Sequence, residues 1–491
     1  MSSPRPEPSR GDARDLGQLG YAQELVRSMG GFSNFAVSFS IISILTGAFT
    51  GYDWGLAWGG PFVMGVGWPL VALGSLTVAL VMAELASAFP TAGALYHWAA
   101  LLGGRRIGWF TAWFNLVGQF TITAGIDYGL AQFLVSLMGW PADHGRVLLV
   151  YALVLASHAG LNHYGVRLVA RLNDASVVVH MVGVVVIVGT LLAFADLAPI
   201  GTVFTPGTPA KVTAGQGGLA FCFLVGLLQA QWTFTGFDAS AHVSEETVDP
   251  RTRAPWGIVL SVVVSALVGW VMLIVVTLAI TDYDAVIEAS NGGKKAIQHI
   301  FETALAGLGA WAGRVLTLFA ALAMWFCGLA SVTANSRMLY AFARDGGVPA
   351  SGLLKQVAPW NGAPVAAIWA SVAAAFLLLA WAKAYDTVLA ISTMALYVGY
   401  GIPIVLWLRA GPERRERDRG PWHLGRWTVP VGVVAILWVT GVVVLFSIPP
   451  NELAGKALAG VTVALVAGWW LHARKAFAGP PIPRVGRGSP V

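Results

Sequence analysis

The chain has 491 residues, 56% of them hydrophobic and 11% charged, with a formal net charge of +6 at neutral pH. That balance excludes a water-soluble globular protein, in which about a quarter of the residues are charged. It does not point to a nucleic-acid partner either, because the basic residues are spread over particular loops instead of forming one patch.

The first twenty residues are polar, with Pro4, Pro6, Pro8 and six charged side chains, so no cleavable secretory signal is expected. Apolar runs of about 20 residues, the length that crosses a lipid bilayer, then recur. Twelve spans are predicted, over 33–52, 62–84, 108–137, 146–162, 172–195, 217–243, 256–280, 312–335, 363–382, 387–408, 428–447 and 456–473. The expected organisation is a tail over 1–29, an all-α membrane core over 30–475, and a Gly/Pro/Arg-rich tail over 476–491 expected to be disordered. With the N-terminus in the cytoplasm, 23 of the 30 Lys and Arg residues fall on the cytoplasmic side. This is the asymmetry of the positive-inside rule, and it places both termini there.

The first predicted span is not a smooth apolar helix: Ser38, Ser40, Ser43, Thr46 and Gly47 interrupt it. Serines that bond back to their own helix account for Ser38 and Ser40, whereas Thr46-Gly47 reads as a break. The third span carries Gln119 at mid-depth and Asp127 nearer the outer end, where a solvated rim position is expected. In the sixth span an apolar start from Leu219 to Leu228 gives way to Gly236 and Asp238 before Glu245 and Glu246. A carboxylate at membrane depth costs roughly 2.5–3.5 kcal/mol on insertion scales, so it faces protein or a water-filled cavity. A glycine there lets the backbone leave the helix, which is tolerated only where it lines a cavity or is buried in protein. A kink made for packing would leave a similar pattern. However, Phe234-Thr235-Gly236-Phe237-Asp238 echoes Phe49-Thr50-Gly51-Tyr52-Asp53 five spans earlier, and paired interruptions in two halves mark the substrate site of secondary transporters.

After the seventh span, Lys294 to Leu305 sets Ile297, Ile300, Phe301, Ala304 and Leu305 on one helical face, as either a lid or a plain cover. Glu84, Arg337 and Arg344 lie at cytoplasmic span ends, as an inner-gate ion pair or as interfacial solubilisers. Cys222 and Cys327 sit inside spans, too sparse for a disulfide framework or a zinc site. His158 and His163, five apart, do not share a helix face well enough for a metal pair. No phosphate loop, HExxH, GxSxG or CxxC occurs, so neither an enzyme nor a cofactor is expected.

Four motifs give the chain a resemblance. They are SILTGAFTG followed by Gly59-Gly60; AELASAFPTAGALYHWA with Glu84, Pro90, Gly93 and Tyr96; WTFTGFDASAHVSEETVDPRTRAP; and SRMLYAFARDGGVP at 336–349. In this order and on these spans they resemble the amino acid–polyamine–organocation superfamily, and within it the amino acid/choline transporter family, from about Gly30 to Trp470. The resemblance implies about twelve transmembrane helices. Ten form a 5+5 inverted repeat with broken helices 1 and 6, and two more follow.

It also implies roles. Ser43 and Thr46-Gly47 match the unwound first-span segment whose amides receive a substrate carboxylate. Trp232 matches the aromatic that covers substrate, and Thr235 and Gly236 lie at the second break. Asp238 stands where relatives often keep an acid. Gln119 matches a substrate-contacting amide, though an interhelical hydrogen bond is an equal reading. His180 stands where several proton-coupled relatives have a lysine. A proton on His180 would couple transport; a sodium ion held by first-span carbonyls with Ser331 or Thr333 is the competing reading. A neutral histidine bonded between helices is the third.

The expectation is a secondary active permease of the plasma membrane that imports an amino acid or related amine solute by alternating access with H+ or Na+. A choline or polyamine carrier is the alternative within the class. A channel or ligand-sensing membrane protein is the alternative outside it.

Overall fold

A computed structural model describes residues 10–141, 143–381 and 385–481. The described chain is helical throughout. In order, its α-helices are α1 (Arg10–Gln18), α2 (Gly31–Ile42), α3 (Ile44–Thr50), α4 (Tyr52–Phe62), α5 (Trp68–Ala88), α6 (Leu95–Gly103), α7 (Arg105–Leu137), α8 (His144–Tyr164), α9 (Val166–Phe194), α10 (Ala210–Thr213), α11 (Leu219–Gly226) and α12 (Leu228–Thr233). There follow α13 (Ala239–His242), α14 (Pro250–Leu278), α15 (Tyr283–Asn291), α16 (Ala296–Ala304), α17 (Ala310–Arg344), α18 (Ser351–Leu354), α19 (Val365–Trp381), α20 (Tyr385–Arg409), α21 (Gly411–Arg417), α22 (Thr428–Leu445), α23 (Glu452–Gly468) and α24 (Arg474–Ala476). Among the described residues the sole β-type pairing is an isolated bridge between Met29 and Thr247.

Among the described residues ten helical segments are long and apolar enough to cross a membrane, and two shorter apolar helices, Leu219–Thr233 and Val365–Ala380, supply the remaining predicted spans. A helix is favoured here because a segment in lipid must satisfy its backbone internally. The first, third, eighth and tenth spans form the interior, with 83% of the first buried. The share of buried residues is 78% in the tenth but 28% and 17% in the last two, which are therefore peripheral. The segment after the seventh span is helical as expected: α16 buries Ile297, Ile300 and Phe301, with Phe301 5.8 Å from Phe49 ring to ring.

Residue 382, at the end of the ninth predicted span, and residues 1–9 and 482–491 of the tails lie outside the described residues. Of the expected disordered tail, Phe477 is buried against Tyr96 and Phe342, and its carbonyl accepts a 2.9 Å bond from Arg105.

Candidate functional site

The first span breaks at Ser43, three residues before the predicted Thr46-Gly47. Ser43 has φ +34°, the left-handed region, which costs a non-glycine residue roughly 1–2 kcal/mol. Its side chain offsets part of that cost. Ser43 Oγ accepts from the Thr46 amide at 3.2 Å, capping α3, and lies 2.5 Å from Thr46 Oγ1 and 2.6 Å from His180 Nε2. Thr46 and Gly47 are therefore helical residues of α3. Ser38 and Ser40 do not bond back to their own helix. Ser38 Oγ donates to the Phe237 carbonyl at 2.8 Å, and Ser40 Oγ donates to Ser176 Oγ at 2.8 Å.

The sixth span breaks where the sequence places it. α12 ends at Thr233, and Gly236 takes φ +81°. A side chain there would be strained whatever the space, and its Cβ would meet Ile41 Cγ2 at 2.2 Å. The freed backbone groups find partners from the tenth span: the Phe234 carbonyl accepts from Tyr397 at 2.9 Å, and the Gly236 amide donates to Tyr400 Oη at 3.1 Å. Thr235 Oγ1 donates back to the Trp232 carbonyl at 2.6 Å.

Asp238 is fully enclosed. Tyr400 donates to Oδ1 at 2.8 Å, while Oδ2 is reached by His242 Nε2 at 3.1 Å and by the amides of Asn115 and Gln119 at 3.3 Å each. His242 Nδ1 lies 2.9 Å from the Ala92 carbonyl. A carbonyl only accepts, so Nδ1 carries a hydrogen, and a second proton must sit between Nε2 and the carboxylate. The Asp238–His242 pair therefore carries no net charge. The Gln119 amide is thus bonded to the carboxylate of Asp238.

The two breaks face one another across a glycine row that sequence reading passed over. Cβ atoms at Gly47, Gly51 and Gly55 would meet Thr233 at 2.5 Å and Gln229 at 3.1 Å and 3.1 Å, and one at Gly226 would meet the Gly59 amide at 3.0 Å. Small residues every four positions bring two helices to backbone distance. The signal was present as Gly47, Gly51, Gly55 and Gly59.

A cavity of about 570 Å³ opens on the face opposite α1 and is lined by Gly51, Asp53, Trp54, Gln229, Lys295 and Asp386, among others. Of the predicted substrate residues only Trp232 lines it. Trp232 is 4% exposed and donates Nε1–H to Ser392 at 3.2 Å. Ser43, Thr46, Gln119, Thr235 and Asp238 are buried elsewhere. Lys295 lies 3.7 Å from Asp53, whose other oxygen accepts the Ala296 amide at 2.6 Å.

The α1 face is closed. Arg337 pairs with Glu246 at 2.7 Å, and Arg344 binds both oxygens of Glu245 at 3.0 and 3.1 Å. Arg344 also lies over the Tyr21 ring at 3.9 Å. Tyr21 bonds His97 and donates to Asp345 at 2.7 Å. Arg27 binds the carbonyls of Ser244 and Thr247, and Tyr340 donates to Glu24. Glu84 does not join these arginines; its carboxylate accepts from Thr428 at 2.9 and 3.0 Å.

Of the three residues expected at the coupling ion, His180 touches the first break, and its Nδ1 is 2.8 Å from the Ser176 carbonyl. Ser331 Oγ pairs with Thr123 at 2.7 Å, while the Thr333 hydroxyl lies 2.9 Å from both Asn162 Oδ1 and the Leu329 carbonyl, either of which can accept its one hydrogen. These two hydroxyls share no partner with His180. Asp127 is not a solvated rim residue: it is 0% exposed and lies 3.1 Å from His158 Nδ1. No group of three or more His, Cys, Asp or Glu that could hold a metal occurs among the described residues.

Comparison with known proteins agrees with this architecture. The amino acid permease family matches residues 29–470. The amino-acid permease BAT1 of Arabidopsis thaliana is 37% identical, covering 95% of each chain. Its homolog in Oryza sativa subsp. japonica is 37% identical over 96% of this chain and 95% of its own. An uncharacterized amino-acid permease of Schizosaccharomyces pombe is 30% identical, over 97% and 91%. Broken first and sixth spans packed on one another, in an all-helical multi-pass membrane chain matched by these relatives over nearly its whole length, show that the protein belongs to the amino acid permease family, within the amino acid–polyamine–organocation superfamily.

Proposed function

We propose that the chain imports an α-amino acid across the plasma membrane by alternating access, driven by a proton gradient. The observation that carries the substrate class is the enclosure of Asp238 in a pair with His242 that has no net charge. Its carboxylate is bonded by four donors and balanced by His242, so it offers no free anion to a polyamine or a quaternary amine. Recognition then falls to the backbone at the two breaks: amides at the start of α3 for a carboxylate, carbonyls before Gly236 for an ammonium. A zwitterion carries both complements. Trp232 is the floor between the outer cavity and this space, and Gln119 holds Asp238 in place. Arg337–Glu246 and Arg344–Glu245 keep the cytoplasmic side shut while the outer cavity is open.

The proton is favoured over sodium because Ser331 and Thr333 are held by different partners, neither shared with His180 at the first break. His180 is the coupling residue in this reading. Its Nδ1–H is fixed by the Ser176 carbonyl, so in the neutral ring Nε2 accepts from Ser43. Protonation makes Nε2 a donor and reverses the bond that holds the break.

The test is uptake by purified protein in sodium-free proteoliposomes, screening labelled amino acids against choline and putrescine under an inward proton gradient. Saturable accumulation of an amino acid supports the reading. Transport of choline or putrescine alone, or a sodium requirement, overturns it.

A further inference from the structure

Two aspartate–imidazole pairs, both fully buried at about 3.1 Å, are finished differently. Around Asp238 and His242 every carboxylate oxygen and ring nitrogen has a partner. Asp127 on α7 and His158 on α8 are both 0% exposed and bonded through Oδ2 and Nδ1 at 3.1 Å. Yet Asp127 Oδ1 and His158 Nε2 have no hydrogen-bond partner among the described residues. Gly328 on α17 makes the space: a Cβ there would stand 1.9 Å from Asp127 Oδ1 and 2.5 Å from His158 Cε1. Buried polar atoms are nearly always paired, and those left over need a reason.

Counting protons supplies one. His158 Nδ1 faces a carboxylate, so it carries a hydrogen. With Nε2 bare the pair has a net charge of minus one, and one added proton makes it neutral. The ionisable groups facing the pair are Tyr151 from α8 and Cys327 from α17, with Tyr128 of α7 packed edge-on to Tyr151 and Tyr385 of α20 beyond it. None is a cation, and α19 carries no ionisable side chain over Val365–Trp381. An uncompensated anion at this depth is costly, and one proton removes it.

We propose that Asp127 and His158 bind and release one proton in each transport cycle, at His158 Nε2 or Asp127 Oδ1, as a site separate from His180. This rests on the reading of the chain as a proton-driven permease. Its link to the moving part is short. Cys327, next to Gly328, donates Sγ–H to the Ile41 carbonyl at 3.2 Å, two residues before the break at Ser43. The charge of the pair and the shape of the first break are therefore felt by one turn of α17.

Two measurements test it. In sodium-free proteoliposomes, Asp127→Asn and His158→Gln should lower proton-driven accumulation tenfold or more while keeping substrate counterflow within about twofold. Accumulation within twofold of the parent in both variants would overturn the proposal. So would a parallel loss of counterflow, which would make the pair a packing element. The second measurement needs no substrate. Purified protein moved from alkaline to mildly acidic weak buffer should take up one proton fewer per chain as Asp127→Asn than as the parent. Equal uptake overturns the proposal, whereas a parent that carries no amino acid but shows this difference overturns only the permease reading.

Discussion

Ser43 Oγ and His180 Nε2 lie 2.6 Å apart at the residue where the first span leaves the right-handed helix. The contact joins a titratable ring on α9 to the one left-handed residue between α2 and α3. Ser43→Ala removes it and leaves Nε2 buried without a partner, which costs about 1–3 kcal/mol. The expected result is a lower Tm in detergent and weaker substrate binding. Ser43→Gly, which relieves the left-handed strain but also loses the bond, should melt higher than Ser43→Ala.

Gly47 is required for clearance, not for its dihedral angles. A Cβ there would stand 2.5 Å from the Thr233 side chain, so Gly47→Val should abolish substrate binding by forcing α3 and α12 apart. Thr233→Gly in the same protein should restore part of it. Equilibrium binding to the single and double variants checks this, and absence of any rescue would place the constraint elsewhere.

Much of this was legible in the sequence, for identifiable reasons. Span count follows from apolar length, and the sixth break was visible because its left-handed position is a glycine beside a carboxylate. The first break was placed three residues late because its left-handed position is a serine, which a search for glycine passes over. Asp127 was set on a solvated rim from its height along α7, but height does not say which face a residue occupies. Its partner His158 stands 31 residues away on the next span, a pairing that no local pattern carries. Glu84 shows the same limit: its carboxylate is bonded to Thr428, not to Arg337 or Arg344.

Asp238→Asn should impair turnover more than binding. The substitution keeps one acceptor oxygen but turns the other into an amide donor, so that if Tyr400 keeps its acceptor, His242, Asn115 and Gln119 lose theirs. This loosens the sixth break while removing no group assigned to the substrate. Equilibrium binding should stay within about tenfold, or roughly 1.4 kcal/mol, with exchange rates falling further. A loss of binding several orders larger and selective for cations would favour a polyamine or choline carrier.

The closed face should loosen in acid. Burial, followed by the nearby Arg344, holds His97 well below the ordinary histidine range, and both its ring nitrogens are engaged, by Tyr21 and Thr91. A histidine with a depressed folded-state pKa stabilises the fold fully above its unfolded value of about 6.5 and loses that contribution as the pH falls below it. Burial raises Asp345 instead, so its contribution has the opposite sign. It is greatest in acid and is lost as the pH rises through its folded value. Melting at about pH 7.5 and about pH 5.5 should show a drop for the parent that is reduced in His97→Gln. An unchanged drop would remove His97 from the account.

Orientation is open to direct labelling. Arg415→Cys, in the arginine-rich α21, should react with an impermeant thiol reagent only from the cytoplasm, and Ser290→Cys, at the rim of the outer cavity, only from outside. Reversal of either would invert the direction in which the cavity opens.

The most direct test of proton-driven import through the Ser43 break is accumulation of a labelled amino acid in sodium-free proteoliposomes under an inward proton gradient, for the parent and for His180→Ala. The account predicts that the parent concentrates the amino acid, and that His180→Ala exchanges it across the membrane but no longer concentrates it. Accumulation that follows sodium, or a His180→Ala protein that keeps full proton-driven accumulation, would contradict it.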